Sequence, residues 1–453
     1  MNRRDLLKLV EQRIGGRRLV YVGTRGDDAE ALGDVPQLAA VYSVVGSLQS
    51  RSSVASVALE DLTGERVDLD TSDIDADLAD PQVTAFRRAI MHGLASDSVI
   101  VTYRPSAFLA AICFAVRSRC EYAGMFHAHQ GAFEYKPWVE TSVGALGVNT
   151  VPWRYVADEH QLGVLEILED GPVMLRRSRS SGGTGIVQVE SAGGLRVPWE
   201  VGSEGFLSAA PFLRGVPTNV SGVVWHDGVT LHCPSVQVVG IDLLTRHAFG
   251  YCGNDFDAAR DLAWRAVQSM EDASLTVGHW LRRQGYLGAF GIDFIVEGSR
   301  TWFVELNPRL QGVTHLACQW AASTDRSCVM LEHLAASLGL DAPPSEPLEA
   351  QLAEMGGLSH LVFHQLAQEP DVGHGQVVRN LAAHRDVTRV DVVPRPGVSI
   401  LDGATFARAT LRVRATDDGV TLRPDVDAIV TAALTGAPEP YEPPHRANAT
   451  PNR

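Results

Sequence analysis

The stretch GAFGIDFIVEGSRTWFVELNPR, Gly288 to Arg309, decides how the rest of the chain is read. From Phe290 to Leu306 the apolar residues fall on even positions (Phe290, Ile292, Phe294, Val296, Trp302, Val304, Leu306), and the odd positions hold Gly291, Asp293, Glu305 and Asn307. A period of two belongs to a β-strand with one face toward a core and one toward something polar. With Gly298, Ser299 and Arg300 as a short turn, a hairpin sets Asp293 opposite Glu305 and Gly291 opposite Asn307, at the roughly 5 Å of cross-strand neighbours. Like charges facing each other in a strand pair destabilise it unless a cation lies between them. Two carboxylates and an amide are hard oxygen ligands suited to Mg²⁺ or Mn²⁺, whose shell phosphate oxygens commonly complete. The bland alternative is an exposed hairpin with chance carboxylates, and the one-sided placement of the polar set disfavours it.

The 453 residues are enough for roughly three domains at about 150 residues each. Hydrophobic residues make up 45% and charged residues 21%, ordinary globular usage that argues against disorder and against a membrane protein. No apolar run is long enough to span a bilayer. The opening MNRRDLLKLV has the look of a twin-arginine export signal, but Glu11, Arg13, Arg17 and Arg18 follow at once, and it reads as a short amphipathic helix. The net charge of −15 argues against non-specific binding to nucleic acid or anionic membranes. Six cysteines without a C-x-x-C pair indicate neither a zinc knuckle nor a disulfide framework, and a reducing cytoplasm is the default location.

Outward from the hairpin, the N-terminal part alternates strands and helices. Arg18–Gly23 reads as a buried strand, Thr24–Asp28 as a turn, 85–94 as a helix, Ser98–Tyr103 as a strand and 107–116 as an apolar helix, together an α/β domain over 1–130. Only Gly23 and Gly26 stand where G-x-G-x-x-G would be, so a dinucleotide site is rejected. His127 with His129, and His360 with His364 one helical turn apart, lack the glutamate of H-E-x-x-H and read as hydrogen-bonded pairs rather than metal ligands. Further on, a helix over 160–169 and a strand over 172–176 lead into the loop Arg177–Gly185 (RSRSSGGTG), followed by a strand over 186–190. Glycines in such a loop let backbone N–H groups approach phosphate oxygens, serines add donors, and Arg176, Arg177 and Arg179 add positive charge.

Two strands joined by Asp227-Gly228 come next, with Asn219 and Gln237 on strands that would floor the site. Asp257 to Arg283 reads as one long helix and Thr314 to Ala336 as another. Pro343-Pro344-Ser345-Glu346-Pro347 marks a boundary before a small α+β domain over 343–436, in which SHLVFHQL, VVRNL, VTRVDVVP and ATLRVRAT alternate like short strands and 425–434 closes as a helix. The Pro-rich end, 437–453, reads as a disordered tail.

Asp293 followed twelve residues later by Glu305-x-Asn307-Pro308-Arg309 resembles the metal-binding end of ATP-grasp ligases. The resemblance covers 131–342 as the ATP-grasp domain, and implies an α/β and α+β multidomain architecture with an N-terminal α/β (pre-ATP-grasp) domain and a small C-terminal domain. It implies ATP with Mg²⁺ or Mn²⁺ as cofactors, the ion held by Asp293, Glu305 and Asn307. The RSRSSGGTG loop resembles the family's phosphate loop, which implies phosphate contacts from Arg176, Ser181, Gly182, Gly183 and Thr184. Arg176 stands where a lysine usually ends the preceding strand. Lys136 matches a phosphate-binding lysine placed one turn early, with Glu140 at the usual position. Ala209 to Gly215 resembles the adenine hinge through Phe212, Leu213 and Gly215, without the hinge's acidic residues. The arginine many members carry two residues before the first metal-binding Asp is Gly291 here, so the resemblance leaves Arg309, with Arg176, to act on the reacting groups.

The run Pro211–Gly215, Asn219, Asp227-Gly228 and Ser235-x-Gln237 most resembles pheganomycin-type peptide ligases of natural-product biosynthesis. The implied activity is amide formation through an acyl phosphate, joining a small-molecule carboxylate to an amine (amino acids or peptides) with release of ADP and Pi. A homodimer is one expected assembly, and no nucleic-acid or membrane partner is expected. A carboxylase or kinase on the same scaffold, or a nucleotide-binding protein without turnover, are the other readings.

Overall fold

The computed structural model describes residues 2–47, 54–68, 75, 81–94, 97–115, 120–123, 130–156, 162–179, 182–183, 185–191 and 206–436. The expectations for His127, His129, Ser181, Thr184 and the tail at 437–453 lie outside the described residues. The first helix, α1 (Arg3–Ile14), is capped by Asn2, whose side chain accepts from Asp5 N at 2.9 Å, and it buries Leu6, Val10 and Ile14 at helical spacing.

The first sheet is built from β1 (Arg18–Arg25), β2 (Leu38–Val45), β3 (Ala55–Ala58), β4 (Ser98–Thr102) and β5 (Glu121–Tyr122), all parallel in the order β3-β2-β1-β4-β5. Helices α2 (Pro81–Gly93) and α3 (Ala107–Ala115) lie between its strands in sequence. Strand β2 was not expected from the sequence; its LAAVYSVV is a near-continuous apolar run of the kind that a strand covered on both faces requires. β1 continues past Gly23, so Thr24 and Arg25 belong to the strand, and a 3₁₀ helix over Gly26–Leu32 replaces the expected turn.

Helices α4 (Lys136–Ala145) and α5 (Leu162–Glu169) accompany a four-stranded antiparallel sheet of β6 (Arg154–Val156), β7 (Val173–Arg176), β8 (Ile186–Val189) and β9 (Leu207–Pro211), in the order β6-β9-β7-β8. The third sheet is antiparallel. It contains β10 (Val216–Val224), β11 (Ser235–Val239), β12 (Tyr251–Asp255), β13 (Gly288–Glu297), β14 (Arg300–Asn307), β15 (Ser359–His364), β16 (Val387–Asp391) and β17 (Thr405–Leu411). They run in the order β14-β13-β10-β11-β12-β15-β17-β16, with Val229–Leu231 paired to β10 across the Asp227-Gly228 turn. The strands after Pro343–Pro347 therefore extend the sheet that carries the hairpin.

Four expectations need correction. The long helix is broken: Asp255 caps a single turn, Phe256–Ala259, and α6 begins only at Trp264 and ends at Arg283, its Val267, Met270, Val277 and Leu281 buried at helical spacing. Arg414 binds both Asp257 and Asp261, which fixes the break. The next expected helix is two, α7 (Thr314–Ser323) and α8 (Val329–Ser337), separated where Asp325 takes a left-handed φ of 55° and its carbonyl accepts from Arg3 N at 3.0 Å. VVRNL lies in helix α9 (His374–Ala383), where Val377 and Leu381 are buried one turn apart, a spacing that five residues read for alternation do not separate from a strand. His360 and His364 sit on strand β15, not one helical turn apart. The last helix, α10 (Pro424–Thr435), is as expected. No described helix is long and apolar enough to cross a membrane.

The first and last parts of the chain are locked by a buried ion pair. Arg66 and Glu60 have no exposed side-chain surface, and their Nε and Oε2 atoms lie 2.5 Å apart. Arg66 also donates Nη1 to the Val392 carbonyl at 2.7 Å, while Val392 N donates to Asp27 Oδ2 at 2.8 Å. Val392 has φ 61°, a strained conformation for a β-branched residue that persists only because these contacts hold it. Arg66→Ala leaves the buried Glu60 charge with only the more distant Arg395, whose Nε lies 3.8 Å from Oε1, and releases Val392. Denaturant unfolding should register a loss of about 3–5 kcal/mol. An unchanged midpoint would mean that the pair does not tie these segments together.

Candidate active site

The hairpin is tighter than the alternation suggested. Glu297 pairs with Arg300, leaving Gly298 and Ser299 as a two-residue turn, and the register slips by one between Asp293 and Phe294. Without the slip Asp293 would face Val304. A β-bulge at Val304 restores Asp293 opposite Glu305 and Gly291 opposite Asn307, as expected, while turning Phe303 rather than Trp302 or Val304 into the core.

The two carboxylates are saturated with donors. Asp293 Oδ1 accepts from Gln237 Nε2 and from Gln311 Nε2, each at 3.0 Å, and Oδ2 accepts from Asn307 Nδ2 at 3.1 Å. Glu305 Oε1 accepts from the same Asn307 amide at 3.3 Å, and Oε2 lies 2.5 Å from Lys136 Nζ. Burial, then the neighbouring Glu305 charge, pushes the Asp293 carboxyl well above the ordinary carboxylate range. Burial acts upward on Glu305 too, but Lys136 and then Arg176 outweigh it and hold that carboxyl well below its usual range. The two shifts are opposite: Asp293 keeps its proton more readily than an ordinary carboxyl, and Glu305 less readily.

Gln311 had no role in the sequence reading and is central here. Its Nε2 holds Asp293, and its Oε1 accepts from Asn219 Nδ2 at 3.1 Å and Ser221 Oγ at 3.0 Å. A Cβ on Gly291 would lie 1.9 Å from Gln311 Cδ, so the missing side chain at Gly291 is the room that the Gln311 amide occupies. A glycine on the polar face of an otherwise regular strand was the available signal. Behind it, Asn219 Oδ1 accepts from Ser235 Oγ at 2.5 Å and from Asn254 Nδ2 at 3.2 Å, and Tyr251 Oη lies 2.9 Å from His360 Nε2. His360 is thus a hydrogen-bonded core histidine; His364 Nδ1 pairs with the Leu244 carbonyl at 3.0 Å.

These groups open onto a cavity of about 560 Å³, whose walls include Gly182, Gly183, Asp293, Glu305, Asn307 and Arg309. Arg309 donates to Asn307 Oδ1 at 3.0 Å and to the Leu310 carbonyl at 3.1 Å. Gly182 and Gly183, at φ 61° and 81°, bring the loop down on the 245–250 segment: a Cβ on Gly183 would meet the Phe249 carbonyl oxygen at 2.1 Å. Lys136, Arg176, Phe212 and Leu213 are not among the cavity walls. Lys136 opens α4, its backbone N–H bonded to the Ser178 carbonyl at 3.2 Å. Arg176 ends β7, ion-paired to Glu140, stacked 3.7 Å over Trp153 and donating to the Val304 carbonyl at 3.3 Å. Phe212 N bonds the Pro172 carbonyl at 2.8 Å, and its ring lies 6.5 Å from that of Phe249. A carboxylate pair with an amide beside it, on a cavity also lined by glycine N–H groups and an arginine, has the donor set for a hard divalent ion and phosphate oxygens.

Residues 149–313 match the ATP-grasp domain family. A formate-dependent phosphoribosylglycinamide formyltransferase of Synechococcus sp. (strain CC9311) is 27% identical over 247 residues, 51% of this chain and 59% of that protein. The chain thus spans about three-fifths of the length of the curated relatives it matches. N5-carboxyaminoimidazole ribonucleotide synthetase from Thermus thermophilus superposes with a TM-score of 0.56 at 16% identity, covering 94% of this chain and 100% of that one. A biotin carboxylase–β,γ-ATP complex from Campylobacter jejuni gives 0.58 at 15%, covering 88% and 89%. The fold is the multidomain ATP-grasp fold.

Gly291→Ala must displace the Gln311 amide from Asp293. Mn²⁺ binding, followed by electron paramagnetic resonance, is expected to weaken about 10–100-fold, the usual effect of losing a partner that orients a metal ligand. Unaltered binding would mean that Gln311 does not orient Asp293.

Proposed function

We propose that this chain, built on the ATP-grasp fold, is an ATP-dependent ligase that joins a carboxylate to an amine through an acyl phosphate. The observation that carries this reading is the convergence of Asp293, Glu305 and Asn307 on one wall of a cavity that Arg309 and the Gly182-Gly183 loop also line. Asp293, Glu305 and Asn307 would hold Mg²⁺ or Mn²⁺, an ion that offsets the negative charge of the phosphates. Binding it draws on the ionised form of Asp293 and requires Asn307 to turn its amide oxygen, which now faces Arg309, toward the ion.

The glycine loop contributes backbone N–H groups, with Ser181 and Thr184 hydroxyls beside them, to the triphosphate. Lys136 contributes positive charge at that end, Arg176 stands behind it with its charge held by Glu140, and the backbone at Phe212 and Leu213 receives the base. A carboxylate oxygen attacks the γ-phosphorus and ADP leaves. The amine then attacks the acyl carbon, phosphate leaves, and the products are an amide, ADP and Pi. Arg309 needs no proton chemistry for this; its fixed donors meet the charge that grows on the acyl and phosphoryl oxygens. The catalytic contribution of these side chains is positioning and electrostatic stabilisation.

Two substrate readings stand within this function. Amino acids or peptides as acid and amine, as in peptide ligases of natural-product pathways, follow from the Pro211–Gly215 to Gln237 pattern. A very small acid, formate or bicarbonate, is favoured by the neutral Gln311 amide filling the space over Gly291, where an arginine for a larger acyl intermediate would stand. The formate-dependent relative acts in that manner by name. The proposed setting is the cytoplasm and the proposed units are 1–130, 131–342 and 343–436.

ADP release measured with ATP, Mg²⁺ and panels of acids and amines tests the function. Release that requires both an acid and an amine is expected, and Asp293→Asn and Glu305→Gln should each remove it. Nucleotide binding without turnover across broad panels would sink the ligase reading.

The raised Asp293 carboxyl also implies a pH dependence. Because its carboxyl is raised, protons compete with the metal up to and beyond neutral pH; apparent Mn²⁺ affinity should rise with pH, by up to about tenfold per unit while Asp293 is still protonated. Affinity that is flat between pH 6 and 8 would mean that both carboxylates are already ionised.

A further inference from the structure

Away from the carboxylates the cavity changes sign. Its far arm runs between the carboxyl end of β1, the 245–250 segment and the last strands, with Thr24, Arg25, Tyr103, Arg246, His247 and Thr405 on its walls. Two of the cations in this neighbourhood are matched: Arg246 is paired with Asp402, and Arg408 Nη1 lies 3.0 Å from Asp28 Oδ1. Asp68, the carboxylate on this arm, sits with Arg246 beside Gly403.

Arg25 is not matched. It is half-buried at the last position of β1; Nη2 donates to Thr405 Oγ1 at 3.3 Å, Nε is buried without an acceptor, and among the described residues it forms no ion pair. Among the described residues the polar atoms behind it also lack partners: Arg408 Nε and Nη2, His360 Nδ1 and the Tyr21 hydroxyl. Burial, then the positive charges of Arg408, His315 and Arg25, drive the proton off His360. A half-buried guanidinium on a cavity wall, with spare donors and no ion pair among the described residues, is placed to receive an anion.

We propose that Arg25 is the specificity-determining residue of the acceptor substrate, binding a carboxylate or phosphate group at the end of that substrate remote from its amine. This rests on the ligase reading for the identity of the second substrate. The bipolar cavity then orients it: the anionic tail goes to Arg25 and Thr405, and the amine lies toward Arg309 and Asn307. The strand end that in a dinucleotide-binding fold would carry glycines for a pyrophosphate instead carries, at Thr24-Arg25, a two-pronged donor suited to a planar carboxylate or a phosphate face.

The test uses the full chain saturated with Mg²⁺ and a non-hydrolysable ATP analogue, with two anionic probes and their neutral counterparts: glycerol 3-phosphate against glycerol, and glutarate against glutaramide. Binding is followed by ligand-observed NMR, and analogue affinity is measured separately. At least one anion is expected to bind, its neutral counterpart at least tenfold more weakly. Arg25→Gln should weaken the anion at least tenfold and leave analogue affinity within twofold. Glycerol 3-phosphate alone identifies a phosphate tail, glutarate alone a carboxylate tail, and both together an unselective anion site. Arg25→Lys, which keeps the charge but loses the fork, should bind with intermediate affinity and serves as the reading if Arg25→Gln does not fold. Equal binding of charged and neutral probes, no binding of either anion, or anion affinity unchanged by the substitutions overturns the proposal. Failure of the wild type to bind the analogue sinks the ligase reading instead, and the anion data still decide the role of Arg25.

Discussion

Two half-buried carboxylates set face to face, Asp293 and Glu305, are the constraint on which the rest depends. Facing carboxylates repel unless neighbouring donors and cations compensate them, and here the compensation comes from every side. Gln237 arrives from β11, Gln311 from the loop after the hairpin, Asn307 from the same strand as Glu305, and Lys136 from the start of α4. Four separate segments are thereby fixed to one point. The bulge at Val304 belongs to the same requirement: the tight Gly298-Ser299 turn alone would have set Asp293 against a valine, and one extra residue on β14 restores the facing carboxylates. An arrangement that costs stability in the protein by itself, and that needs an irregular strand to achieve, belongs to a site for something positively charged.

The surrounding fold holds that point by charge as well as by apolar packing. Directly after Gln311, helix α7 carries His315, whose Nε2 lies 3.0 Å from Asp391 Oδ2 and whose Nδ1 lies 3.6 Å from Asp28 Oδ1. Asp28 belongs to the 3₁₀ helix after β1, and Asp391 ends β16, so one histidine links the first and last parts of the chain to the segment that delivers Gln311. Arg408 and Arg389 complete the set on Asp28 and Asp391. The strands beyond residue 343 join the hairpin's own sheet through β12 and β15, and His315 on α7 ties their last member, through Asp391, to the segment that carries Gln311.

The facing of Asp293 and Glu305 was legible in the sequence because its signal is local: alternation, a turn, and polar residues on one face over twenty-two residues, Gly288 to Arg309. Cross-strand register followed from period two even though the turn length was misjudged, since the bulge added the residue that the shorter turn removed. The helix breaks near Asp257 and Asp325 were not legible, because Arg414 and Arg3, far away in sequence, stabilise them. Strand β2 was missed for the opposite reason: a strand buried on both faces has no period to read. Gln311 and Arg25 escaped notice because their importance comes from what surrounds them, an amide filling a glycine's empty space and a cation that lacks a counter-charge, and neither condition is written in a single sequence.

The phosphate end can be argued further from charge. Arg176, at the position where the resemblance expects a lysine, is nearly fully buried and paired with Glu140, which is 4% exposed and stands at the usual place of the second lysine. Drawing Arg176 toward a triphosphate would leave that carboxylate buried and unpaired, at a cost of about 3–5 kcal/mol. Its stacking on Trp153 and its bond to the Val304 carbonyl, at the bulge itself, instead make it a strut between the small sheet and the hairpin. Lys136 is placed differently. Its present acceptor is Glu305, a carboxylate that a divalent ion would claim, and its backbone is already tied to the phosphate loop at Ser178. Metal binding would then transfer the lysine from a carboxylate to a phosphate with no buried charge left behind. Under the proposed reading the two departures from the expected lysines compensate each other: Glu140 neutralises Arg176, and Lys136, one turn earlier on α4, is the cation left for the nucleotide.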